Sequence, residues 1–141
     1  MIKRPLLANV EGKGAIEVPN ANLIMVTSAV QGEGKTFVIV DAAMNDLIRP
    51  TLYEAWHDVK PVIEPAADQP RLVADIVGPV CETGDYLALG RDLPQVKAGD
   101  LLAVMTAGAY GAVQACTYNT RLLVPEVLVD GSQYAVVRPR Q

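Results

Sequence analysis

The stretch PEVLVDGSQYAVVRP near the end of the chain sets two β-branched runs on either side of an Asp130-Gly131 pair, and most of the sequence is written in the same way. KPVIEP, RLVADIVGPV, DYLALG, DLLAVMTAG and GAVQACTYN are each short for a helix, and Pro, Gly, Asp or Asn stands between them. Asp-Gly is a strong hairpin signal because a two-residue turn needs residues that accept a positive φ. Repeated roughly every eight to twelve residues, such runs predict a mainly β fold: a Greek-key barrel or sandwich, mostly antiparallel. Only MNDLIRPTLYEAW has helical spacing, and Pro50 confines it to one short helix of a turn or two.

Upstream, the apolar runs LIMVTSAV and FVIVDAA flank QGEGKT. That loop approaches the phosphate-binding pattern of a glycine, four residues, then Gly-Lys-Ser/Thr, whose backbone N–H groups cradle phosphates. Ala29 occupies the position of the first glycine. A phosphate loop must also open a helix, whereas Phe37-Val38-Ile39-Val40 is a run with little helical character. The expectation is therefore a hairpin, with residues 23–30 pairing against residues 37–41.

A chain of 141 residues, 50% hydrophobic and 20% charged, has room for one packed domain and a short appendage. Its net charge of -4 and scattered cations give no footprint for a phosphate backbone, so no nucleic-acid partner is expected. No apolar run approaches the ~18 residues of a membrane span, and the first residues break into charge and glycine too early for a signal peptide. The expectation is a cytoplasmic protein with no membrane partner. Cys81 and Cys116 lack metal-ligand spacing, which predicts free thiols and no metal site. His57, the single histidine, is expected to cap or pack, and Asp41 and Asp46 to bond turn backbone.

Three strings, FVIVDAAMNDLIRPTLYEAWH, IVGPVCETGDYLA and MTAGAYGAVQACTYNTRLLVPEVLVDG, closely resemble the C-terminal β-domain of diaminopimelate decarboxylase, which makes lysine from meso-diaminopimelate with pyridoxal phosphate. The residues before them, RPLLANVEGKGAIEVPNANLIMVTSAVQGEGKTF, are similar to the phosphate-loop region of exopolysaccharide-type bacterial tyrosine kinases. The division these likenesses imply is a leader over residues 1–36, with a phosphate-loop-like hairpin, and a decarboxylase-type β-domain over residues 37–141.

The decarboxylase resemblance also implies a site. An enzyme that decarboxylates one end of diaminopimelate must hold the carboxylate and the ammonium of the other. Arg49 offers a planar fork for the carboxylate, Tyr53 a hydroxyl four residues later on the same helical face, and Glu82 a charge for the ammonium. By resemblance Cys81 is catalytic, near the reacting carbon across a dimer interface, and Tyr110 contacts cofactor and substrate. Thr83 stands where the family usually has serine. Taken singly, each residue has a plainer role: an Arg-x-x-x-Tyr surface contact, a core cysteine, a packed tyrosine.

Pyridoxal-phosphate chemistry needs a Schiff-base lysine and a phosphate cradle, which the family carries on a (β/α)₈ barrel of about 250 residues. None of Lys3, Lys13, Lys35, Lys60 and Lys97 lies in a barrel-like context. The resemblance thus implies a substrate-binding and dimerisation domain that binds no cofactor and is inactive by itself. Its partners are then a second copy or a decarboxylase barrel, with a small amino acid in the complete site. The alternatives are a nucleotide-binding fragment of a bacterial tyrosine kinase, or a truncated or hybrid product with no function.

Overall fold

The computed structural model describes the backbone of residues 25–31 and the whole of residues 36–141. The chain order is β1 (Met25–Gln31), β2 (Phe37–Val40), α1 (Arg49–Tyr53), β3 (Val59–Pro61), β4 (Arg71–Val77), β5 (Tyr86–Pro94), β6 (Leu101–Val104), α2 (Gly108–Gln114), a 3-10 turn (Tyr118–Thr120), β7 (Glu126–Asp130) and β8 (Gln133–Arg138). Six strands form one sheet in the order β3-β6-β1-β2-β4-β5, and β7 and β8 form a separate ribbon.

The fold is mainly β, as the sequence pattern requires. All ladders are antiparallel except β2–β4, which is parallel, so the larger sheet is mixed. β1 and β2 pair antiparallel from Ala29 opposite Val40 to Gln31 opposite Val38, while residues 32–35, where the hairpin turn was expected, lie outside the described residues. β2 starts at Phe37, where a phosphate loop would have opened a helix. The closed-barrel expectation finds no support: no ladder joins the edge strands β3 and β5 among the described residues. β3 is only three residues long and ends at Pro61, which has no N–H to extend a ladder.

Pro50 sits in the first turn of α1, where its missing N–H costs nothing, and Glu54 ends the helix in the left-handed region at φ 54°. A second helix corrects the expectation of only one. GAVQACTYN was read as a short strand, yet residues 108–114 are helical, and Gly111 N–H donates to the Ala107 carbonyl at 2.9 Å. Ala109 and Ala112 favour the helix, and Gly111 is its only buried residue, so that glycine marks a packing face and no strand end. At the Asp130-Gly131 signal, Asp130 pairs with Gln133 and Gly131 takes φ 56°.

The core lies on the six-stranded sheet. Val38, Val40, Ile76, Leu87, Leu102 and Val104 are buried with Leu47, which follows β2. A bulge interrupts the β4–β5 ladder between Ala74 opposite Arg91 and Ile76 opposite Ala88. There Gly90, at φ 58°, donates its N–H to Asp75 Oδ1 at 2.7 Å.

Candidate functional site

The residues singled out from sequence fall on three segments: Arg49 and Tyr53 on α1, Cys81 and Glu82 on the turn before β5, and Tyr110 on α2. Specific contacts tie the first two segments together. The Thr51 hydroxyl donates to the Gly84 carbonyl, and the Tyr86 hydroxyl donates to the Pro50 carbonyl at 3.4 Å. Gly84 is needed at this junction, because a Cβ there would lie 2.7 Å from Thr51 Cγ2.

Asp85, which the sequence reading did not weigh, organises the turn. It is buried, and its two carboxylate oxygens accept the N–H groups of Met44, at 2.7 Å, and Val80, at 2.6 Å. Its backbone N–H donates to the Glu82 carbonyl at 3.0 Å, and its carbonyl accepts Gly78 N–H at 2.9 Å. One side chain therefore fixes both the loop leading into α1 and the turn that presents Cys81 and Glu82.

Arg49 meets Tyr110 directly, with the guanidinium carbon 5.0 Å from the ring centroid, in a cation–π contact across α1 and α2. Arg49 Nε is buried and has no hydrogen-bond partner among the described residues. Tyr110 leaves 55% of its surface exposed, so much of its ring is open to a ligand. Glu82 is exposed and accepts the Thr83 N–H at 3.0 Å and the Tyr118 hydroxyl at 3.4 Å. Tyr53 is exposed, and Cys81 is a free, exposed thiol, as is Cys116. No hydrogen bond or ring contact joins Tyr53 or Cys81 to the other three among the described residues.

A second network ties the loop after β2 to the segment that follows α2. Asn45 Nδ2 donates to the Cys116 carbonyl at 3.1 Å, and Cys116 N–H donates back to the Asn45 carbonyl at 2.9 Å. Arg121 donates to the Asp41 carbonyl and approaches Asp46 Oδ2 at 3.7 Å. Asp46 accepts Ala43 N–H at 2.9 Å, the backbone role expected of it. Burial pushes its carboxyl above the ordinary carboxylate value, against the opposing pull of the Ala43 N–H and the charges of Arg121 and Arg140. His57 is buried and donates from Nδ1 to the Met105 carbonyl at 3.0 Å, a packing role. Among the described residues no group of three or more His, Cys, Asp or Glu gathers as metal ligands, and no helix is long and apolar enough to cross a membrane.

Opposite charges, Arg49 and Glu82, thus stand on two bonded segments, with an exposed aromatic ring against the cation. Such an arrangement suits a ligand carrying both a carboxylate and an ammonium. The family model for the C-terminal sheet domain of pyridoxal-dependent decarboxylases matches residues 20–108, more than half of the chain, and the chain belongs to that family. The curated relatives it matches are diaminopimelate decarboxylases. The enzyme of Zymomonas mobilis is 53% identical over 126 residues, covering 88% of this chain and 29% of the relative. That of Pseudomonas aeruginosa is 55% identical over 126 residues, covering 88% and 30%. The crystal structure of diaminopimelate decarboxylase from Helicobacter pylori complexed with L-lysine matches with a TM-score of 0.76 at 36% identity, over 84% of this chain and 29% of that one. The chain therefore spans about 30% of the length of the relatives it matches. The matched span starts at residue 20, inside the segment 1–36 set apart above as a leader.

Proposed function

We propose that this chain is the substrate-gripping sheet domain of a diaminopimelate decarboxylase. Arg49 takes the distal carboxylate of meso-diaminopimelate through its planar fork, Tyr53 adds a hydroxyl donor, and Glu82 takes the distal ammonium. Tyr110 lies against substrate and cofactor, and Cys81 reaches the reacting carbon of a neighbouring subunit. The observation that carries this reading is Arg49 itself, held over Tyr110 with its Nε unpartnered, on a helix bonded to the turn that presents Glu82.

The family is pyridoxal-dependent, and the cofactor would supply the electron sink that decarboxylation needs. Of the residues here, Tyr110, with its ring exposed beside a cation, would lie against that anionic group when it is bound. The Schiff-base amine and phosphate cradle are assigned to the barrel, which a stretch spanning about 30% of its relatives does not include. By itself this chain is expected to bind no pyridoxal phosphate and to release no carbon dioxide. Its exposed surfaces then dock on a decarboxylase barrel or on a second copy.

The test is to mix the chain with the Zymomonas mobilis enzyme lacking its own sheet domain and to measure carbon dioxide released from meso-diaminopimelate. Rescue is expected, with Arg49→Ala or Glu82→Ala lowering it at least about thirtyfold through loss of one charged contact. Absence of rescue, or undiminished rescue by both variants, overturns the proposal.

A further inference from the structure

Arg91, in the middle of β5, is the least satisfied charged side chain in the sheet. It is 7% exposed, yet its Nε and Nη1 have no hydrogen-bond partner. The bulge at Gly90 puts it there: Leu89, two residues earlier, is exposed, whereas strict alternation would give both side chains the same environment. The carboxylates nearest to it in the chain and the ladder are each engaged elsewhere. Asp92 holds Arg71, whose Nε lies 3.0 Å from both of its oxygens, Asp75 accepts Gly90 N–H, and Asp58 pairs with Lys60 at 3.1 Å. Burial pulls the Arg91 pKa below its ordinary value, and the field of Asp58 only partly restores it.

The guanidinium lies directly over the ring of Trp56, which is itself 72% exposed. A ring beneath the guanidinium meets its face and leaves its edge N–H donors unmet. A buried cation whose N–H donors meet no acceptor is costly, and a carboxylate oxygen is the acceptor that best satisfies a guanidinium N–H. A single positive charge, already felt by Asp58, also selects a monoanion, because a dianionic phosphate would leave a net negative charge buried in its place.

We propose that Arg91 and Trp56 form a second site, which accepts one carboxylate from outside this chain, with the Trp56 indole as its removable cover. The carboxylate is either a free small acid or an Asp or Glu side chain of the remaining part of the protein, of which this chain spans only the sheet-domain share. The site stands on Arg91 alone and does not depend on the roles given to Arg49 or Glu82.

Trp56 is the only tryptophan in the chain, so its fluorescence reports on this cover. In one arm, the chain is titrated with sodium acetate at constant ionic strength kept with sodium chloride. A saturable change is expected with half-saturation on the order of 10 mM, as for one charge-assisted contact. In the other arm, the Zymomonas mobilis enzyme lacking its own sheet domain is added at micromolar concentration. A change in the acetate arm alone identifies a free acid as the source, and one in the protein arm identifies a side chain. Arg91→Gln should abolish either response, and Arg91→Lys, which keeps the charge but not the planar, directed N–H donors, should weaken it about tenfold. Far-UV circular dichroism checks that both variants are folded, and the lysine variant carries the test if the glutamine variant is not. No response in either arm, or a response unchanged in Arg91→Lys, overturns the proposal.

Discussion

The six-stranded sheet and the β7–β8 ribbon are written in the same alphabet of valine, leucine and tyrosine, but they meet different surroundings. In the sheet, β2 alternates half-buried and buried residues, and Ile76, Leu87, Leu102 and Val104 are sealed from solvent. In the ribbon, Val127, Leu128, Val129, Tyr134, Val136 and Val137 are all exposed, and no strand of the larger sheet pairs with either edge. Its open end is held by an Arg138–Glu126 ion pair and by Leu123 and Gln141, whose backbones exchange hydrogen bonds at 2.8 and 3.3 Å. Alternating β-branched residues therefore specify a strand without specifying what will cover it. A lone two-stranded ribbon is marginal in water, so one with apolar residues exposed throughout is suited to a covering surface that the described residues do not supply.

The largest expected effect separates the two regions most clearly. Leu102→Ala, in a fully buried position, should lower the unfolding free energy by about 2–5 kcal/mol in urea titrations, whereas Val129→Thr should change it by less than about 0.5 kcal/mol. Equal losses would mean that the ribbon shares the core. Next, Asp85→Ala strips acceptors from the N–H groups of Met44 and Val80 and should cost about 2–4 kcal/mol. Amide exchange in residues 78–84 should quicken with it, and a silent Asp85 would remove the reason for the turn's shape.

A smaller effect comes from Asp46. With its folded pKa raised, its favourable contribution is complete below the ordinary carboxylate value and is lost as pH rises through the raised one. Asp46→Asn should therefore gain stability relative to the unaltered chain between pH 4 and pH 7, read from urea midpoints at each pH. A flat difference would contradict the burial effect. The smallest effect is confined to the ribbon: Gly131→Ala forces a side chain into positive φ at a cost of about 1 kcal/mol. That change should loosen amides of β7 and β8 and leave the midpoint of the sheet where it was.

Much of this architecture is legible in the sequence. The short β-branched runs mark most of the strands, Pro50 marks α1, and Asp130-Gly131 marks the ribbon turn. α2 is illegible by the same rules, because Gly108 and Gly111 resemble punctuation when only their neighbours are read. Arg49, Tyr53, Cys81, Glu82 and Tyr110 came from a family likeness, since each alone has a plain structural role. Asp85, Tyr118 and Arg121 escaped notice for a different reason: their partners lie 41, 36 and 80 residues away, and local pattern carries no trace of such pairings. Closure of a barrel was likewise inferred from strand number, which does not fix how edge strands meet.

A buried sheet and an uncovered ribbon should differ most plainly in hydrogen–deuterium exchange followed residue by residue. In the isolated chain, amides of β2, β4, β5 and β6 should be protected while those of β7 and β8 exchange at least about tenfold faster. Adding the Zymomonas mobilis enzyme without its sheet domain should slow the ribbon and leave the core strands unchanged. A ribbon as protected as the sheet in the isolated chain, or one untouched by that addition, would contradict the account.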